Sequence, residues 1–264
     1  MDLRSSDNTT AGAGAEGGAP AVAWPRRADG GPVAVLAHRG GTGPWRENTL
    51  EAFAGALALG ADGVELDVRA DAGGVAVVHH DAEVEGVGPV SAMAGDVRPD
   101  WLPTLDEALR ACGQGLVNVE LKLDAADSGP EACASLASAV APVLAGAPAA
   151  LGGVVVSSFW PQALEALALL DAAVPLALLV HPALDAAGAV PVAAGLGCVA
   201  LHPHIGAVTP GLVAEARAAG LAVTTWTVNR PAELDRAGAA GVDGVVTDAV
   251  VLTLAHYRGR RPPA

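Results

Sequence analysis

From residue 33 onward, the chain alternates short runs rich in valine with longer runs rich in alanine and leucine. The short runs have the composition of β-strands, and the longer runs have that of helices. Strand and helix recur as a pair about every 25 to 40 residues, which is typical of parallel strands joined by crossover helices. This many pairs predict an α/β fold with a closed (β/α)8 barrel, an architecture that accommodates 264 residues as one unit.

Nine runs resemble strands, although the barrel has eight places. The predicted strands are 33–38, 62–68, 74–80, 116–122, 153–157, 175–180, 198–202, 222–227 and 244–247. The predicted helices are 49–59, 104–112, 129–145, 160–170, 185–194, 209–219 and 231–239. The segment 69–74 between the second and third strands is too short for a crossover helix. Either a turn centred on Ala72 and Gly73 forms an antiparallel hairpin with His80 opposite Glu65, or an extended return keeps the third strand parallel.

Charge and composition exclude several classes of function. A net charge of −14 argues against non-specific nucleic-acid binding, which depends on basic surface. The hydrophobic content of 52% is inflated by alanine, and no apolar run reaches the ~20 residues of a membrane-spanning helix. Cys112, Cys133 and Cys198 are odd in number and widely spaced, which favours reduced, buried thiols in a cytoplasmic protein.

The ends of the chain differ from its middle. Residues 1–30 are rich in small and polar residues and lack the pattern of a signal peptide, so we expect a disordered tail that docks near Trp24–Arg27. A single domain is expected over 31–257, followed by a frayed basic tail over 258–264. The stretch 82–103 has no clear periodicity and is predicted to be a loop over the barrel mouth.

Three acidic residues stand on predicted strands. Glu65 and Asp67 are two positions apart on one strand, so both point to the same face, and Glu120 lies at the end of another. Carboxylates this close repel one another unless they share a proton or a cation. Three of them suit one hard divalent metal ion, Ca²⁺ or Mg²⁺, between which the sequence does not choose. The alternative is a solvated strand end, or ion pairs with Lys122 or Arg39.

Histidines and basic residues accompany these acids. His38 and His80 end two different strands, and histidine exchanges protons near neutral pH. Arg39 and Lys122 carry positive charges of the kind that can neutralise a phosphate group, although they could instead only hold the acids in place. His79 points to the opposite strand face from His80, so we interpret it as structural.

Four motifs, in this order, are similar to those of the glycerophosphodiester phosphodiesterase family. They are His38-Arg39-Gly40, Glu47-Asn48-Thr49, Glu65-Leu66-Asp67 and His80-Asp81. The resemblance extends over about residues 33–250 through VSSF at 156–159, TWTVN at 225–229 and GVDGVVTD at 241–248. It implies a TIM barrel of the PLC-like phosphodiesterase type with a short loop insertion after the third strand.

The chain departs from the family pattern near the expected mouth of the barrel. The usual Thr-x-Asp-Gly turn is replaced by the sequence at 70–74, and the usual Leu-x-Arg-Thr after His80-Asp81 is replaced by Ala82–Glu85. The second change removes a basic residue and adds acids. It leaves head-group specificity open.

The resemblance also assigns roles to individual residues. It implies that His38 and His80 form the catalytic acid–base pair, and we favour His38 as the base and His80 as the acid. It adds a supporting role in the site for Asn48, which could otherwise simply cap the first helix. Trp226 and His202 lie near strand ends and are candidates for the pocket wall, with burial in the core as the alternative.

The activity that the resemblance implies is metal-dependent hydrolysis of glycerophosphodiesters to an alcohol and sn-glycerol 3-phosphate, within lipid and glycerol metabolism. The nucleophile would be water, or the glycerol hydroxyl of the substrate through a cyclic phosphate. The alternatives are a lysophospholipase D-like or other phosphodiester hydrolase, and a catalytically silent ligand-binding barrel. A small-molecule substrate is the one partner indicated, and the oligomeric state stays open. Asp248, which ends the last strand, is interpreted as structural.

Overall fold

The computed structural model describes residues 24, 26–27, 31–124 and 128–259, and for Asp96 it describes the backbone alone. Within these residues, eight parallel strands form the barrel: Ala34–His38 (β1), Gly63–Ala70 (β2), Leu116–Leu121 (β6), Gly153–Ser158 (β7), Leu176–Val180 (β8), Ala200–Pro203 (β9), Ala222–Thr225 (β10) and Gly244–Thr247 (β11). The remaining described strands are Ala76–Val78 (β3), Glu83–Val84 (β4) and Gly88–Pro89 (β5). The described α-helices are Leu50–Leu59 (α1), Leu105–Ala111 (α2), Pro130–Ala145 (α3), Pro161–Leu170 (α4), Ala186–Gly195 (α5), Pro210–Ala218 (α6), Pro231–Ala240 (α7) and Val250–Arg258 (α8).

The strands close on themselves, which confirms the predicted (β/α)8 TIM barrel. Around the ring the order is β1, β2, β6, β7, β8, β9, β10 and β11, and β11 pairs with β1 through Leu36 and Val246. Closure brings the first and last strands of the chain side by side. Residues at the carboxyl ends of β1 and β11 therefore meet at one end of the barrel.

Local sequence signals define where several helices begin and end. The Thr49 side chain accepts a hydrogen bond from the amide of Ala52 and caps α1, which ends at Gly60 in a left-handed conformation with φ of 100°. Thr104 and Glu107 form a reciprocal capping box at the start of α2. These caps satisfy amide groups that have no partner inside the helix.

Along each barrel strand, successive side chains point alternately towards the surrounding helices and towards the barrel interior. On β2, Val64, Leu66 and Val68 are fully buried within the core cluster between the strands and the helices. Glu65 and Asp67 take the intervening positions and therefore face inward. The outer core is thus apolar, and the polar side chains of β2 are directed to the barrel axis.

Trp24, which precedes the first barrel strand in the sequence, fills the interior at the amino-terminal end of the barrel. Small residues such as Ala200 and Ala222 occupy the first interior position of their strands. Trp24 packs against them, is only 4% exposed, and donates from Nε1 to Thr224 Oγ1 at 3.3 Å. The rest of the predicted tail, apart from Arg26 and Arg27, lies outside the described residues.

The third strand forms a hairpin with the second, which decides between the two alternatives that the sequence left open. β3 pairs antiparallel with β2, and Val68 lies opposite Val78. This register is one residue away from the prediction that placed His80 opposite Glu65. The difference arises because the Asp71 carboxylate accepts from the amides of Gly73 and Val75, which lengthens the turn.

Two other regions contain structure that the sequence patterns did not predict. The final helix α8 was missed, although it packs against β1 and α7. The insertion 82–103 contains the β4–β5 hairpin and two short 3₁₀ turns at Val90–Ala92 and Gly95–Val97. None of the described helices combines the length and apolarity needed to cross a membrane.

Candidate active site

Strand pairing places the predicted acids and one histidine beside one another. His38 lies opposite Glu65 between β1 and β2, and Asp67 lies opposite Glu120 between β2 and β6. All four residues face inward, and His38 and Glu120 stand at or next to the carboxyl ends of their strands. The structure therefore gathers them at the carboxyl-terminal mouth of the barrel, where the active sites of such barrels lie.

Glu65, Asp67 and Glu120 form a buried acidic triad. One carboxylate oxygen from each lies within 4.8 Å of the others, and the three residues are 3%, 1% and 7% exposed. Burial, together with the charge of Asp67, raises the pKa of Glu65 to about 8, and burial also raises the pKa of Glu120. Glu65 Oε1 is buried and has no hydrogen-bond partner among the described residues. An unsatisfied oxygen beside two further carboxylates fits a hard divalent cation.

Two cations border this triad. Lys122 Nζ lies 2.6 Å from Glu120 Oε1 and 3.2 Å from Asp67 Oδ1, and Arg39 Nε lies 3.2 Å from Asp67 Oδ2. Burial alone would raise the pKa of Asp67, but Lys122 and Arg39 hold it below its usual range. Burial would likewise lower the pKa of Lys122, but Glu120 and Asp67 raise it. Asp67 and Lys122 are therefore held in their charged forms.

His38 stands between the triad and the last barrel strand. Its Nε2 atom lies 3.9 Å from Glu65 Oε2, and its Nδ1 atom lies 2.6 Å from Asp248 Oδ1. Burial lowers the pKa of His38, but the hydrogen bond to Asp248 and the charge of Glu65 outweigh it and raise the pKa. Asp248, interpreted as structural from the sequence, contacts the candidate catalytic histidine directly.

His80 lies on the other side of the triad, just beyond β3. Its Nδ1 atom is 2.7 Å from Asp81 Oδ1, and its backbone carbonyl accepts from Arg69 Nε at 2.9 Å. Burial and the charge of Lys122 lower the pKa of His80. The side chain is partly exposed, with 32% of its surface accessible, and it borders a cleft with Glu120, Lys122 and Phe159. It is therefore the more solvent-accessible of the two histidines.

Asn48 connects the start of the first helix to the triad. Its Nδ2 atom donates to Asp67 Oδ2 at 2.9 Å, and its Oδ1 atom accepts from the Asp67 amide at 3.3 Å. Its backbone is left-handed, with φ of 55°, a conformation that asparagine tolerates better than most residues. The helix cap is supplied by Thr49, so the side chain of Asn48 is free to orient Asp67.

The pocket residues predicted from the second half of the chain lie at different depths. Trp226 is partly exposed at the mouth, and its ring packs edge-on against Phe159 at a centroid distance of 5.4 Å. His202 instead lies inside the barrel, is 1% exposed, and lines a small cavity beneath the triad with Asn118 and Leu179. Burial lowers the pKa of His202 to about 3, so it is neutral there. His79 contacts Trp101, away from the triad.

The mouth is acidic beyond the triad as well. Glu83 and Glu85 are exposed on the insertion that follows β3, in the segment where the chain departs from the expected motif. Asp124 is half-exposed and pairs with the two terminal guanidinium nitrogens of Arg69 at 3.0 and 3.1 Å. Exposed acidic side chains thus stand on the insertion and on the loop after β6, two segments that line a cleft together with Lys122.

The sequence profile of the glycerophosphoryl diester phosphodiesterase family matches residues 38–252. The chain belongs to this family. The matched segment includes the triad, both candidate catalytic histidines and Asp248. Members of the family are enzymes that cleave glycerophosphodiesters, and this chain is a glycerophosphodiester phosphodiesterase.

Individual relatives support the same assignment. The glycerophosphodiester phosphodiesterase of Caldanaerobacter subterraneus subsp. tengcongensis is 30% identical over 238 residues, which span 81% of this chain and 93% of that protein. The glycerophosphodiester phosphodiesterase structure from Thermotoga maritima superposes with a TM-score of 0.69 at 25% identity, covering 84% of this chain and 97% of that one. An Oleispira antarctica phosphodiesterase, solved in complex with the product sn-glycerol-3-phosphate, has the same fold, with a TM-score of 0.74, 24% identity and coverage of 88% and 99%.

Proposed function

We propose that this glycerophosphodiester phosphodiesterase hydrolyses its substrates to an alcohol and sn-glycerol 3-phosphate at a single divalent cation, Ca²⁺ or Mg²⁺, held by Glu65, Asp67 and Glu120. The observation that carries the proposal is the buried triad itself, in which Glu65 Oε1 has no partner in the described part of the chain and a histidine lies on either side. Three adjacent carboxylates are costly to bury without counter-charge, and Lys122 and Arg39 supply only two positive charges beside them.

A bound divalent cation would supply Lewis-acid polarisation of a phosphate oxygen and would fix the orientation of the phosphate. The carboxylates of the triad would hold it. Asn48 would keep Asp67 oriented, because it bonds both the side chain and the backbone of that residue. Oxygen-only ligands at this spacing suit Ca²⁺ and Mg²⁺ better than softer metals.

His38 and His80 would perform the proton transfers. His38 would act as base, because Asp248 holds its Nδ1 atom and leaves Nε2 free to accept a proton on the side of the triad. Its target would be a water molecule or the glycerol hydroxyl of the substrate. His80 would act as acid towards the departing alcohol, because it lies at the solvent side of the site, next to the cleft.

Arg39 and Lys122 would stabilise the charge that develops on the phosphate. Both now contact carboxylates at hydrogen-bonding distance. Either could turn part of its donor capacity to the substrate, since arginine has five N–H donors and lysine has three. Trp226 would form a wall of the pocket at the mouth. His202 would line its floor as a neutral side chain.

A cytoplasmic location is also proposed. Its support is the state of the cysteines: Cys112, Cys133 and Cys198 are all buried and unpaired, which is typical of proteins in a reducing compartment. The exposed acids Glu83 and Glu85 on the insertion favour head groups that are neutral or positively charged over anionic ones.

The proposed function is tested by measuring release of sn-glycerol 3-phosphate from glycerophosphocholine and glycerophosphoethanolamine. The assay is run after EDTA treatment and after addition of Ca²⁺ or Mg²⁺, on the native chain and on Glu65→Ala and His38→Ala. We expect activity that EDTA abolishes, that one of the metals restores, and that both substitutions remove.

Matched controls separate loss of chemistry from loss of structure. Glu215→Ala replaces an exposed glutamate on α6, and His256→Ala replaces a partly buried histidine on α8, both far from the mouth in the fold. Both should retain native activity. Activity that persists in EDTA and in Glu65→Ala would refute the metal-dependent mechanism. Turnover of lysophospholipids but not of the two glycerophosphodiesters would instead support the lysophospholipase D-like alternative.

A further inference from the structure

The carboxylate of Asp248 lies between two partners at the mouth of the barrel. Its Oδ1 atom is 2.6 Å from His38 Nδ1, and its Oδ2 atom accepts from Asn229 Nδ2 at 2.6 Å. The two oxygens are thus assigned to different partners. The carboxylate has little rotational freedom, because rotating it would break both hydrogen bonds.

The orientation of Asn229 is itself determined by the backbone amide of Asp248, which can only donate. Asn229 Oδ1 accepts from the Asp248 amide at 2.9 Å and from Thr247 Oγ1 at 3.2 Å. A backbone amide has no acceptor capacity, so the oxygen of the Asn229 side chain must face it. The Asn229 amino group is therefore directed at the carboxylate. The backbone amide of Asn229 in turn donates to Glu233 Oε2 at 3.0 Å.

The backbone of Asp248 is fixed from the opposite side. Its carbonyl oxygen accepts from the Thr42 amide at 2.8 Å and from Thr42 Oγ1 at 2.9 Å. Thr42 belongs to the loop that leaves β1, the strand that carries His38. The aspartate is therefore tied to both neighbouring loops, and its side chain keeps a constant position relative to His38.

This arrangement selects one tautomer of His38. A carboxylate can only accept, so the His38 nitrogen that faces it must carry the proton. In the neutral imidazole the lone pair then resides on Nε2, the atom on the side of Glu65 and the triad. From this geometry we infer that Asp248, oriented by Asn229, is a positioning residue that holds His38 in the tautomer and orientation required of the catalytic base. The inference rests on the proposed base role of His38.

A purely structural role for Asp248 is the competing interpretation. In that case its hydrogen bonds would only stabilise the ends of β10 and β11. Replacement would then lower stability but leave the protonation pattern of His38 and the turnover number unchanged. The two interpretations differ in measurable quantities, so they can be separated.

The first test is nuclear magnetic resonance of protein with ¹⁵N-labelled histidine, prepared without metal and recorded where His38 is neutral. The resonances of His38 are identified by their absence in His38→Gln. In the native chain we expect a protonated Nδ1 and an unprotonated Nε2. In Asp248→Asn, which has nearly the same shape, we expect a mixture of tautomers. An unchanged tautomer would overturn the inference whether or not the protein hydrolyses glycerophosphodiesters.

The second test is steady-state kinetics of the metal-loaded enzyme with glycerophosphocholine. We expect Asp248→Asn to lower kcat by about 10²- to 10⁴-fold, the range by which a misoriented catalytic histidine slows other hydrolases. KM and the metal dissociation constant should stay within about twofold. Asn229→Ala, which keeps the carboxylate but removes its support, should lower kcat by about tenfold and give a second measurement if Asp248→Asn does not fold.

A surface pair of the same composition provides the control. Asp235 Oδ1 lies 3.5 Å from His256 Nε2 on α7 and α8, and its side chain is 73% exposed. Asp235→Asn should leave kcat unchanged. Two results would overturn the positioning role while leaving the proposed hydrolysis intact. One is a shifted tautomer of His38 in Asp248→Asn with an unchanged kcat. The other is a kcat that falls by the same factor in Asp248→Asn and Asp235→Asn.

Discussion

Replacing Glu65 by glutamine should have opposite effects on the metal-free and the metal-bound enzyme. In the metal-free protein, Glu65 is buried beside Asp67 and near Glu120, and its ionisation is unfavourable. Glutamine has nearly the same shape but carries no charge. We therefore expect Glu65→Gln to make the metal-free protein more resistant to unfolding at alkaline pH and, at the same time, to weaken metal binding.

The magnitude follows from the pKa of this carboxyl group. Burial raises it to about 8 from an ordinary 4.5. An acid whose pKa is raised by folding stabilises the fold below its unfolded pKa and loses that contribution as the pH rises through its folded pKa. The window here runs from about pH 4.5 to about pH 8. At 1.36 kcal/mol per pH unit the whole window is worth about 5 kcal/mol, of which roughly 3 to 4 falls between pH 5 and pH 8.

The assay is urea unfolding in EDTA between pH 5 and pH 8. The native chain should lose roughly 3 to 4 kcal/mol of unfolding free energy across this range relative to Glu65→Gln. Glu215→Gln, at an exposed position on α6, should follow the native chain. Calorimetric titration with Ca²⁺ or Mg²⁺ should show affinity about 100-fold or more lower in Glu65→Gln. Parallel pH profiles of the native chain and Glu65→Gln would refute this account of the triad.

Three further perturbations follow from the structure. Trp24→Ala should lower the unfolding free energy by about 3 to 5 kcal/mol in urea titration, because it leaves a cavity at the amino-terminal end of the barrel interior. Trp24→Phe should lower it by less. Equal stability of the native chain and both variants would contradict the packing described. His80→Ala should lose far less activity on a substrate with a p-nitrophenol leaving group than on glycerophosphocholine, since that alcohol needs no proton, and equal losses would exclude its role as acid. Lys122→Gln should reduce kcat/KM by about 100-fold or more, and a loss smaller than tenfold in steady-state assays would contradict charge stabilisation by Lys122.

The features predicted correctly from the sequence are those that depend on local patterns. The alternation of strand and helix was enough to predict the barrel, because each crossover repeats the same local unit. The two-residue spacing of Glu65 and Asp67 correctly placed both on the inward face. Lys122, just beyond the strand that bears Glu120, forms the ion pairs with the acids that the sequence analysis considered.

The features that were missed depend on distant contacts or on the detailed geometry of a turn. The contact between Asp248 and His38 spans 210 residues and exists only because the barrel closes between its last and first strands. His202 alternates inward as its strand requires, but its depth depends on the stagger of β9 against its neighbours. The hairpin register depended on how the Asp71 side chain bonds the turn.

Cleavage by a triad-bound cation and two histidines would leave the phosphate on glycerol. The decisive measurement follows glycerophosphocholine with ³¹P nuclear magnetic resonance, in EDTA and then with Ca²⁺ or Mg²⁺ added. We predict no change in EDTA and, after one of the metals is added, conversion to the resonance of sn-glycerol 3-phosphate. Accumulation of phosphocholine, or conversion at the same rate in EDTA, would contradict the account.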